Sequence, residues 1–134
     1  MANALFDKAR EAFLNGNLNL TTDDIRVVLV DTALYTFSAG HEFLGSIPAG
    51  ARVATSAAGL TSKSTTDGVF DADEVTFSAL TGDSIEAVVL YQHTGNDATA
   101  RLILWIDEGN FPIVPNGGDQ TLVWSTGPNR IFRI

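Results

Sequence analysis

The chain has 134 residues, 45% of them hydrophobic, which is enough for one real core and too few for two ordinary domains. Sixteen acidic residues against eight basic ones give a formal net charge of -8. Arg10, Arg26, Arg52, Arg101 and Arg130 lie far apart, so no nucleic acid and no anionic membrane is the expected partner. Cysteine is absent, which excludes disulfides, thiolate nucleophiles and zinc or iron-sulfur sites built on Cys ligands.

Asp7, Lys8, Arg10 and Glu11 interrupt the start before a signal-peptide apolar core can form, and no later apolar run is long enough to cross a bilayer. The expectation is a soluble chain made in the cytosol without a signal peptide. "NALFDKAREAFLNGN" places Leu5, Phe6, Ala9, Ala12 and Phe13 at helical spacing, with the charged residues on the other side. This predicts a helix within residues 1–17, capped by Asn3 and stopped by Gly16 in a left-handed turn. Its apolar stripe either covers an edge of the core or forms an arm that docks on a partner. Leu5, Phe6, Ala9 and Phe13 are the candidate partner-interface residues of the second reading, with the polar "NGNLNLTTDD" as tether.

From residue 23 to 134 the pattern is that of strands. "IRVVLVD" reads as a buried strand, "ARVATSA" and "EVTFSAL" as two more, and "AGLTSKSTTDGVFDAD" between them as a surface loop or short edge strand. "IEAVVLYQHTGNDATARLILWID" reads as a hairpin turning at 94–97. That turn pairs His93 with Ala98, Tyr91 with Ala100, Val89 with Leu102 and Ala87 with Leu104, and both faces are apolar enough to need cover. In "PNGGDQTLVWSTGPNRIFRI", alternation puts Leu122 and Trp124 on one face, and Ile131, Phe132 and Ile134 predict a C-terminal strand paired in a sheet. The fold expected is mainly β: one domain over 1–134, an antiparallel β-sandwich or jelly-roll-like fold of seven or eight strands with an N-terminal helix.

Chemistry is sparse. His41 and Glu42 are adjacent, so their side chains diverge, and "HEF" lacks the second histidine that a zinc-hydrolase helix requires. "SAGHEFLGSIP" is therefore read as a short helical turn packing Phe43, Leu44 and Ile47 inward, and His93 as a residue near solvent beside a turn. Asp67, Asp71, Asp73 and Glu74 in "DGVFDADE" offer hard oxygen ligands but depart from the calcium-loop spacing. No nucleophile elbow, phosphate-binding loop or dinucleotide fingerprint occurs, and the Asn19-Leu20-Thr21 glycosylation match is taken as chance. Asp107 and Glu108 could meet Asp83 or Glu86 in a cleft, as a glycosidase needs, without anything selecting one pair. The expectation is no enzyme, no cofactor, no metal and no catalytic residue.

Taken whole, the sequence resembles a family of small virion structural proteins of tailed bacteriophages. The likeness is carried by "NALFDKAREAFL" at 3–14, "DDIRVVLVDTALYTF" at 23–37, "HEFLGSIP" at 41–48, "RVATS" at 52–56, "DGVFDADEVTFSA" at 67–79, "LYQHTGNDATARLI" at 90–103 and "PNGGDQTLVWSTGPNRIF" at 115–132. It spans nearly the full chain and is rich in turns and strands rather than catalytic signatures. The resemblance implies a particle component, first a decoration or cement protein binding the phage major capsid protein on the outside of the head, with self-association on the capsid lattice. A neck or tail component is the alternative within that class, and a small glycan-degrading enzyme the alternative outside it.

Overall fold

The β-branched run of residues 25–30 becomes an interior strand of a five-stranded antiparallel sheet in the computed structural model, which describes residues 3–109, 111–128 and 130–134. The strands are Ala4–Leu5 (β1), Ile25–Val30 (β2), Arg52–Thr55 (β3), Val69–Phe70 (β4), Val75–Phe77 (β5), Ala87–Gln92 (β6), Leu102–Ile106 (β7), Gln120–Leu122 (β8) and Phe132–Arg133 (β9). The main sheet runs β1-β7-β6-β2-β3, and two antiparallel ribbons, β4-β9 and β5-β8, stand apart from it. The expected mainly β, antiparallel fold with one N-terminal helix is the observed one. The additional strands over the expected seven or eight are two-residue segments, too short to leave a period in the sequence.

Central strand β6 is buried at every residue from Ala87 to Tyr91, which explains why it reads as a continuous apolar run rather than an alternating one. Its cover comes from the helix Asp7–Leu14 (α1) and from the ribbons. Phe6, Ala9 and Ala12 share a single hydrophobic cluster with Val27, Val88, Leu102 and Ile103 of the sheet and Phe70, Phe77 and Phe132 of the ribbons.

Both ends of α1 have clear physical causes. Phe6, in extended conformation, precedes the first turn and donates its amide to Ile103 O at 3.0 Å. Asn3 does not cap the helix as expected; its Oδ1 accepts the Asp107 and Glu108 amides at 3.0 and 3.2 Å and ties the chain start to the end of β7. At the other end Gly16, at φ 73, donates to Phe13 O and Asn17 donates to Ala12 O, the double closure of a left-handed helix stop.

The hairpin register differs from the expected one. Val88 pairs with Ile106, Val89 with Trp105 and Leu90 with Leu104, then a bulge brings Tyr91 opposite Leu102. The connection is longer than a four-residue turn because Asn96 organises it locally: its carbonyl accepts the Thr99 and Ala100 amides and its Oδ1 accepts the Ala98 amide at 2.9 Å. An odd shift of three exchanges which residues share a face, so Val89 lies with Trp105 rather than with Leu102. Both faces remain covered, because every residue from Leu102 to Trp105 is buried.

Candidate functional site

The candidate interface stripe is largely interior. Phe6 and Ala9 are wholly buried, Phe6 in an edge-to-face contact with Phe37 at 5.2 Å, and Leu5 pairs with Leu104 through β1. This corrects the arm reading for Phe6 and Ala9, which pack in the core, whereas Leu5 is half-buried. Phe13, like Leu5, is half-buried, and lies against Phe132 at 6.4 Å.

The histidines do not converge on a metal. Tyr35 Oη and His41 Nδ1 lie 2.7 Å apart, and burial pushes the Tyr35 hydroxyl up to about 12, so it stays protonated. His93 is half-buried, and its amide donates to Asp24 O at 2.7 Å. The 44–46 segment is a short 3-10 turn with Leu44 and Ile47 buried and Phe43 half-buried, so the connector reading of "SAGHEFLGSIP" describes its packing.

Asp71, Asp73 and Glu74 line one open groove, but Arg130 lies in it too, 4.0 Å from Asp71, and Thr61 Oγ1 donates to Asp73. Asp67 is outside that groove. A guanidinium beside the carboxylates opposes a cation, and among the described residues no group of three His, Asp or Glu is placed to hold a metal.

One carboxylate pair does share a cleft. Glu86 and Asp107 line a depression of about 510 Å³ with Tyr35, Phe37, Trp105 and Phe111, whereas Asp83 and Glu108 lie outside it. Glycosidase chemistry needs one carboxyl held protonated as general acid. Glu86 is tuned the other way: burial pushes it up, but Ser84 Oγ, the Thr32 amide and Thr32 Oγ1 donate to it and hold it below the ordinary glutamate value. It fastens the 31–36 loop to the start of β6. Trp105 stacks between Tyr35 and Phe37 at 5.8 and 5.2 Å, so the cleft wall is core packing. The sequence could name Glu86 and Asp107 as residues but could not place them together.

A different surface carries a groove with apolar walls. Phe13, Leu18, Leu20, Phe70, Phe132 and Ile134 line a groove of about 470 Å³ where α1 ends against the β4-β9 ribbon. Leu14, beside it in the chain, is 89% exposed, and Ile134 is 69% exposed. No helix is long and apolar enough to cross a membrane among the described residues. No protein-family model matches the chain, and no curated protein matches it significantly.

Proposed function

We propose that the protein is a structural component of a tailed-phage particle that decorates the outside of the head by binding the major capsid protein. The observation that carries this reading is the apolar groove at the C-terminal end of α1, with Phe13 in its wall and the next residue in the chain, Leu14, 89% exposed. An isolated exposed leucine is ordinary, but one that follows a groove residue in the chain adds apolar area at the same helix end. Burying Leu14 in a partner contributes about 1.5–3 kcal/mol before the costs of association, useful in a contact repeated over a lattice. The net charge of -8 keeps free copies apart and soluble until a partner covers the groove.

The test is co-sedimentation of purified protein with phage heads that lack it. Binding of hundreds of copies per head, lost in a Leu14→Asp variant with an unchanged melt, supports decoration. A handful of copies per particle moves the protein to the neck or tail, and parent protein that never sediments with heads removes the reading.

A further inference from the structure

Among the described residues the main sheet ends at β3, whose outer edge joins no other strand, and β5 is bonded to β8 on one side only. These two open edges line the same groove. Val53, Ala54 and Thr55 form one wall, residues 76–81 the other, and the space between is about 370 Å³. No backbone hydrogen bond crosses it among the described residues. Gly82, at φ 118, closes one end: a Cβ there would lie 3.2 Å from Val53 Cγ1.

We infer that this groove is a strand-acceptor slot, in which an extended segment of the partner pairs with β3 and with β5 and joins the five-stranded sheet to the β5-β8 ribbon. The inference rests on the decoration reading and specifies how the capsid subunit is held. Ser56 donates its amide inward to Val27 O at 2.8 Å, so strand alternation aims the Thr55 amide and carbonyl outward into the slot. An open ladder edge recognises extended backbone above any particular side chain. With β3 four residues long and β5 three, a segment of three or four residues fills it.

The walls also state the chemistry of the guest. Ala54, Thr55, Thr76, Ser78 and Ala79 are small or hydroxylated, and Val53, Phe77 and Leu80 add apolar surface, so the guest's side chains meet an uncharged wall. Charge near the slot is acidic: Asp119 accepts the Ala79 amide of the far wall, and the chain as a whole carries a net charge of -8. The cation nearest in the chain, Arg52, is occupied by Asp97 and by the Ile47 and Leu44 carbonyls. The guest is therefore an uncharged extended stretch flanked by Lys or Arg. Ala79 holds φ 50, a left-handed conformation rare for a residue with a Cβ, and Asp119 Oδ1 fixes it by accepting its amide at 3.0 Å. Strain of this kind shapes the far wall.

The experiment is residue-resolved amide exchange on the parent protein, free and bound to phage heads that lack it, together with co-sedimentation of Thr55→Pro, which removes the outward amide at an exposed edge position. Slowing of the Thr55 amide by tenfold or more on bound protein, with loss of binding by a Thr55→Pro variant that melts as the parent does, is the expected result. Bound protein whose Thr55 amide exchanges as in the free state overturns the slot and leaves decoration standing, as does a folded Thr55→Pro variant that binds normally. A Thr55→Pro variant that fails to fold leaves the exchange measurement on the parent to decide. Parent protein that never sediments overturns both.

Discussion

Truncating Phe6 separates the core reading of the N-terminal helix from the arm reading more sharply than any other single change. Phe6 has no accessible surface, begins α1, donates its amide to Ile103 O and meets Phe37 edge-to-face at 5.2 Å. Large-to-small replacement of a buried phenylalanine costs about 3–5 kcal/mol, and the lost aromatic pair belongs to the upper part of that range. A chain of this length has a total stability of about 7–20 kcal/mol at typical per-residue values. The expected loss is thus a quarter or more of the whole in the central part of that span. At about 4 °C per kcal/mol for a domain of intermediate size, Phe6→Ala lowers Tm by about 12–20 °C. Urea melts followed by tryptophan fluorescence check it, since Trp105 and Trp124 are both buried: the midpoint falls while the slope holds. Deleting residues 1–17 abolishes the cooperative transition, because β1, Phe6, Ala9 and Ala12 leave together. A Phe6→Ala variant melting within a degree of the parent refutes the core assignment and restores the arm.

Arg52→Ala strands the Ile47 and Leu44 carbonyls and releases Asp97, so thermal melts show a loss of about 2–3 kcal/mol, and Arg52→Lys recovers less than half because it cannot make three divergent bonds. Glu86 is held below its ordinary value of 4.5, so its contribution is complete above pH about 4.5 and disappears as pH falls through the lowered value in the folded state. The Tm advantage of parent over Glu86→Gln is accordingly present at pH 7 and is lost on acidification through the lowered value. Leu102→Ala, at a wholly buried position, costs about 2–5 kcal/mol by the same urea assay. Chelator leaves Tm unchanged, and a drop of several degrees restored by calcium returns attention to Asp67, Asp71 and Asp73.

Elements with a strong local cause were legible in the sequence. The run 25–30, the helix stripe and its Gly16 stop, and the pairing of the C-terminal residues with the rest of the molecule all appear where patterning puts them, since β-branched runs and a glycine at φ 73 have few alternatives. The hairpin was legible as a hairpin but not in register. Thr94-Gly95-Asn96-Asp97 invites a tight turn, and the side-chain bonds of Asn96 and Thr94 that lengthen it leave no mark in a period of two. That miss also hid the carboxylate cleft. With Val88 opposite Ile106, Glu86 and Asp107 fall near the same end of the β6-β7 pair, whereas the tighter register puts Ala87 opposite Leu104 and sends Asp107 past the end. The slot was illegible for a different reason. It is made by what β3 and β5 lack, and an unpaired edge has the same sequence pattern as a paired one.

Burying the helix changes where a partner can bind without unfolding the protein. Phe6 touches Phe37, Phe37 touches Trp105, and Trp105 touches Tyr35, so the helix start and the aromatic cleft are one continuous piece of packing. A ligand that moved that cleft would disturb the most buried part of the molecule, and Trp105 leaves its Nε1 without a partner among the described residues rather than open the wall. The Leu14 side chain and the edge at Thr55 lie outside this packing. Leu14 is 89% exposed and Thr55 is exposed on the last strand of the sheet, so either can be covered by a partner while the core keeps its contacts. On the proposed decoration reading this division is an advantage: the core of β2, β6, β7 and α1 stays closed while a partner occupies an exposed edge and adds stability to the folded state.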